Sequence, residues 1–92
     1  MRIIDIRETT EFEKYHIPDS LNMPFSNFES LAKTYFTQHP TQEILLICRS
    51  GRRAMDAMDL LLDWDLTEEE HITVYHGGLL RWLDEGKEIV KK

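Results

Sequence analysis

Glu43-Ile44-Leu45-Leu46-Ile47-Cys48-Arg49-Ser50-Gly51-Arg52-Arg53-Ala54-Met55-Asp56-Ala57-Met58 is the stretch that decides how this chain folds. Ile44 to Ile47 is apolar at every position, as expected of a parallel strand covered on both faces. In open α/β sheets ligands sit beyond the carboxyl ends of such strands, so Cys48 is expected at a rim and not in a core. A loop that turns straight into a helix points successive backbone N–H groups inward, and with the helix N-terminus these make a concave site for negative charge. Gly51 permits the backbone angles that such a turn requires. A thiolate is itself an anion, so the same donors, with Arg49, Arg52 and Arg53 nearby, favour the nucleophilic form of Cys48. A lone cysteine behind an apolar run also suits a small buried hydrophobe. The Arg-Ser-Gly-Arg-Arg that follows it tips the reading to a nucleophile in an anion-binding loop.

Composition sets the frame around that loop. Ninety-two residues predict one domain spanning 1–92, with a modest core. A hydrophobic content of 41% and a charged content of 30% suit a globular protein without a membrane span. The formal net charge of −6 argues against nucleic acid or an acidic membrane as partner. Residues 49–53 invert that background with three arginines and no acid, which favours a small anionic substrate. One cysteine excludes an intrachain disulfide, and neither a CxxC pair nor a His cluster at metal-ligand spacing is present, so no metal and no cofactor are expected. Without a resolving cysteine, whatever becomes bonded to Cys48 is removed by an outside acceptor. Met-Arg-Ile-Ile-Asp5 enters a strand-like run at once with no signal-peptide core, so a reducing cytoplasm is expected.

The rest of the chain alternates strand and helix patterns. Arg2 to Ile6 reads as a first buried strand, followed by a short helix through Lys14 that Thr9 and Thr10 are placed to cap, with Glu11 in its first turn. His16 to Pro24 reads as a turn with a short strand around Leu21 to Met23. Ser26-Asn-Phe-Glu29 has the capping-box pattern of a helix with Phe28, Leu31, Ala32 and Tyr35 on one face. After the arginine loop, Met55, Met58, Leu61 and Leu62 are expected as the buried stripe of a helix, with Asp56, Asp59 and Asp63 in water. Thr67 to Glu70 reads as an exposed loop or turn, and Ile72 to Tyr75 as a strand. A final helix containing Leu79, Leu80, Trp82 and Leu83 then ends at Gly86. The expected fold is a small three-layer α/β domain: a central, mainly parallel sheet of four to five strands flanked by helices.

Four blocks, in order, carry a resemblance that covers nearly the whole chain. They are Asp5-Ile-Arg7 with Glu11-Phe12, His16-Ile17-Pro18 with Asn22-Met23-Pro24, Cys48-Arg-Ser-Gly-Arg-Arg53, and Gly77-Gly78 with Trp82. In these the chain resembles the rhodanese-homology domain, a sulfurtransferase family. The resemblance implies a rhodanese-like fold and a Cys48 that accepts a sulfane sulfur as a persulfide. It implies that backbone N–H groups of Arg49, Ser50, Gly51, Arg52 and Arg53 cradle the outer sulfur, while Arg49 and Arg52 help bind an anionic donor such as thiosulfate. Cyanide or a thiol, on a thioredoxin-like or sulfur-relay protein among others, is the implied acceptor. Asp5 and Arg7 are expected as a structural polar pair beneath the loop. His16 is expected to pack, and His76 to lie at the surface near the same rim. The chain departs from the family at Tyr15, Asp19-Ser20 and Ala54, and lacks the strand and helix that usually precede the Asp-x-Arg block, which leaves one sheet edge exposed or paired with another chain.

Rival readings stand beside this one. A carrier or docking module passing persulfide to one protein partner would carry the same residues. A cysteine phosphatase resembles Cys-x5-Arg, and the position that needs arginine is Ala54; the loop ending at Arg53 is one residue shorter and suits a single sulfur better than a tetrahedral oxyanion. Arsenate reduction is the remaining oxyanion alternative.

Overall fold

A computed structural model describes residues 1–91. Its core is a four-stranded, all-parallel sheet in the order β3-β1-β4-β5, formed by Leu21–Asn22, Arg2–Asp5, Ile44–Ile47 and Ile72–Val74. β2 (Tyr15–His16) and β6 (Val90–Lys91) make a separate antiparallel ribbon. The helices are α1 (Thr9–Lys14), α2 (Phe28–Gln38), α3 (Arg52–Asp63) and α4 (Gly78–Asp84), with 3-10 turns at Phe25–Asn27 and Glu69–His71. The expected α/β layering with a parallel sheet of four strands is therefore present.

Successive strand residues face opposite sides, so the unbroken apolar run of β4 serves two layers. Ile44 and Leu46 join Ile4, Ile6, Ile72 and Val74 against Phe28, Ala32 and Phe36 of α2 and Ala54, Ala57 and Leu61 of α3. Ile47 faces the other way and packs with Ile17 and Leu79, flanked by Tyr75 and Trp82.

Several local expectations are corrected. Met55 is 49% exposed; the helix instead turns Ala54 and Ala57 onto the sheet, where small side chains permit close approach, and of the expected stripe only Leu61 is fully buried. On α2 the buried face includes Phe36, while Leu31 and Tyr35 lie at its margin. The Ser26 capping box does not form, because the N–H and hydroxyl of Ser26 both donate to the Glu8 carboxylate and the chain enters α2 through a 3-10 turn. α1 is capped at Glu8, whose N–H donates to the Glu11 carboxylate at 3.0 Å, and Thr9 turns its hydroxyl to Asn22.

Candidate active site

Cys48 follows the last residue of β4, at the carboxyl end of a central strand. It is nonetheless only 1% exposed and belongs to the buried cluster that includes Ile6, Leu46 and Ala54, which corrects the expectation of a rim position outside the core. The Gly51 N–H donates to Cys48 Sγ at 3.0 Å. Gly51 achieves this with φ +103°, a conformation that side chains disfavour, as the residue capping α3.

The floor of the loop is set from the next element. The Leu79 N–H donates to the Cys48 carbonyl at 2.8 Å and the Leu80 N–H to the Arg49 carbonyl at 3.0 Å. In a trans peptide the N–H lies opposite the carbonyl, so the N–H groups of Arg49 and Ser50 point away from α4. Those of Arg52 and Arg53 open α3, where a helix has no partners of its own for its first donors. The register Leu46↔Val74, with a Tyr75 N–H to Leu46 carbonyl bond of 3.0 Å, brings Gly77 and Gly78 under the loop.

The three arginines do not share one environment. Arg49 and Arg52 are exposed, as is Ser50. Arg53 is 32% exposed and grips Glu11, with Nη1 to Oε1 at 3.1 Å and Nη2 to Oε2 at 3.4 Å. That hydrogen bond is the chief reason the Arg53 pKa is raised, with the charge of Glu11 adding a lesser part, and the chief reason the Glu11 carboxyl is held below its ordinary value. Nothing local in the sequence announces this contact, which spans 42 residues.

Asp5 and Arg7 form the expected structural pair. Both are buried, with Arg7 Nε at 3.1 Å from each Asp5 oxygen and Nη2 at 2.9 Å from Oδ2. Arg7 Nη2 also donates to the Tyr15 carbonyl at 2.7 Å, and the Asn22 amide bridges the carbonyls of Asp5 and Arg7 at 3.0 Å each. Asp5 sits opposite Ile47 in the β1–β4 register, so the pair braces the strand end that delivers Cys48. His16 stacks on Phe12 with ring centroids 4.0 Å apart and donates Nδ1–H to its carbonyl, a packing role. His76 is exposed.

Among the described residues, Glu68, Glu70 and His71 bring potential metal-ligand atoms within 4.8 Å of one another. They lie at the amino end of β5, away from the carboxyl end where Cys48 sits. A surface hollow of about 650 Å³ lined by Phe25, Phe28, Lys33, Leu60 and Trp64 lies between α2 and α3 and includes none of the loop. No helix among the described residues is long and apolar enough to cross a membrane.

Comparison with known proteins adds an independent line. The family model described as the rhodanese-like domain matches residues 1–85. A mitochondrial protein of Schizosaccharomyces pombe, provisionally named a thiosulfate sulfurtransferase, is 34% identical over 95 residues, which take in 92% of this chain and 65% of that one. A Bacillus subtilis protein provisionally named a sulfur carrier is 39% identical over 54 residues, 59% of this chain and 28% of its own length. The chain thus spans less than two thirds of these relatives. The crystal structure of a rhodanese-related protein from Thermoplasma volcanium superposes with a TM-score of 0.79 at 26% identity, covering 99% of this chain and 84% of that one.

Proposed function

The chain belongs to the rhodanese-like domain family, and from that premise we propose that residues 1–92 act as one sulfurtransferase unit carrying a sulfane sulfur as a persulfide on Cys48. The observation that carries this reading is the Gly51 N–H held 3.0 Å from Cys48 Sγ, inside a loop whose Arg49 and Arg52 are exposed. A backbone donor aimed at the sulfur offers a hydrogen bond to charge that develops there, and two exposed guanidinium groups favour an anionic donor such as thiosulfate.

The transfer divides into two displacements. The Cys48 thiolate attacks the outer sulfur of thiosulfate; the new S–S bond forms as the old one breaks, and sulfite leaves with the electron pair. A second nucleophile, cyanide or a thiolate, then attacks the outer sulfur of the persulfide and returns Cys48 as thiolate. Splitting one hard transfer in this way predicts ping-pong kinetics. Loop donors placed at the sulfur stabilise the charge that develops in both halves. These residues hold a single cysteine, so the acceptor lies outside them. Likeness to a protein named as a sulfur carrier supports an acceptor thiol on a thioredoxin-like or sulfur-relay protein. This chemistry suits a reducing compartment, cytoplasm or mitochondrial matrix alike.

Intact mass tests the proposal directly. Incubation with thiosulfate is expected to add one sulfur, about 32 Da, removable by cyanide and absent in Cys48→Ser. An unmodified chain whose Cys48 still reacts with alkylating agents would sink thiosulfate as the donor and turn attention to a dedicated protein donor.

A further inference from the structure

Three arginines in six residues suggest three cations facing the same anion, but the geometry divides them. We propose that Glu11 is a positioning residue that holds Arg53 out of donor binding, so that Arg49 and Arg52 alone present charge to an anion at Cys48. Both terminal nitrogens of Arg53 are committed to the two oxygens of Glu11, at 3.1 and 3.4 Å. The carboxylate is itself fixed, since Glu11 Oε1 also accepts the Glu8 N–H at 3.0 Å. Glu8 in turn is tied by its own carboxylate to the N–H and hydroxyl of Ser26. Turning Arg53 toward a donor would break a two-pronged ionic contact and leave a half-buried carboxylate without its ionic partner, a loss that one new contact to the donor merely replaces. Arg49 and Arg52 are exposed, and among the described residues no ion pair holds either side chain.

The contact also has a place in the loop's architecture. Arg53 stands two residues after Gly51, whose N–H reaches Sγ, in the first turn of α3. Binding that turn to α1 fixes the angle at which the loop enters the helix.

The anionic donor in this inference rests on the proposed sulfur transfer, so the test uses a probe independent of sulfur chemistry. Cys48 is alkylated with iodoacetate and with iodoacetamide, two reagents that undergo the same displacement of iodide by thiolate and differ in charge. The ratio of their rates reports the positive charge an anion meets at the sulfur. Arg49→Ala and Arg52→Ala are each expected to lower the ratio several-fold, whereas Arg53→Gln keeps it within about twofold of the parent. Glu11→Gln is expected to raise the ratio where Arg53 is present and not in the Arg53→Gln background, because the rise comes from the released Arg53 turning its guanidinium toward the sulfur. A merely structural role for Glu11 would not produce that rise.

Arg53→Gln lowering the ratio as far as Arg52→Ala, or Glu11→Gln leaving it unchanged, would overturn the proposal. So would a Cys48 that reacts with neither reagent, since no anion would then reach it. Failure of the sulfurtransferase reading shows separately, as an absent persulfide in the parent chain. If the persulfide forms, Arg53→Gln is expected to lower kcat while holding the thiosulfate KM within about twofold, in contrast to a raised KM in Arg52→Ala.

Discussion

A β-carbon on Gly78 would stand 2.5 Å from the carbonyl oxygen of Cys48. The approach is that close because the following N–H, of Leu79, holds the same carbonyl at 2.8 Å. Gly78 also has φ +59°, so a side chain there meets both backbone strain and the floor of the loop. Gly78→Ala is expected to destabilise the fold by more than about 2 kcal/mol and to lower sulfur loading of whatever remains folded. Urea denaturation with intact-mass loading measures both, and unchanged stability would refute the close packing.

The buried Asp5–Arg7 pair predicts an asymmetry between breaking and replacing. Arg7→Ala leaves the buried Asp5 carboxylate uncompensated and is expected to cost about 3–5 kcal/mol, most of the margin of a small domain. Asp5→Leu combined with Arg7→Met removes both charges and is expected to be markedly less harmful than Arg7→Ala. Equal denaturation midpoints for the two variants would contradict the pair's isolation from solvent.

Glu11 predicts a pH dependence of known sign. Its folded carboxyl is held below the ordinary value, chiefly by the hydrogen bond from Arg53. The stability it contributes is therefore fully present above the unfolded carboxyl pKa of about 4.3 and is lost as pH falls through the lower folded value. The stability gap between the parent and Glu11→Gln should be constant at neutral pH and close below about pH 4. A gap that widens on acidification would reverse the assignment.

What could be read from the sequence was what local pattern encodes. The apolar runs of β1, β4 and β5 and the turn from Cys48 into α3 carry their period in neighbouring residues, and so they and the ordered blocks around them were legible. Contacts set by distant partners were not. Ser26 has the local form of a helix cap, yet Glu8, 18 residues away, takes both its donors. Arg53 reads as one cation among three until Glu11 is brought to it. Cys48 reads as a rim residue because no local pattern reports that its side chain joins the core cluster. The α3 face differs from its local pattern for another reason: a stripe drawn through the largest apolar residues favours Met55, whereas closeness to a sheet selects Ala54 and Ala57.

That correction is testable in its own right. Met55→Ala is expected to change stability by no more than about 0.5 kcal/mol, while Leu61→Ala, at a fully buried position, costs about 2–5 kcal/mol. Equal losses at both positions would restore the stripe expected from the sequence.

Gly51 separates backbone strain from chemistry. At φ +103°, with a would-be β-carbon 3.2 Å from the Gly77 nitrogen, Gly51→Ala is expected to destabilise by about 1–3 kcal/mol. It should also move the N–H that lies 3.0 Å from Cys48 Sγ, and with it lower the rate of sulfur loading about tenfold or more. Gly86 supplies the comparison, since it too has positive φ, +72°, but a β-carbon there meets nothing within 4 Å. Gly86→Ala therefore incurs strain alone, about 1 kcal/mol, and leaves the loading rate unchanged. If Gly51→Ala loads sulfur as fast as Gly86→Ala, the Gly51 N–H does not hold the reacting sulfur, and the work falls to the other N–H groups of the loop.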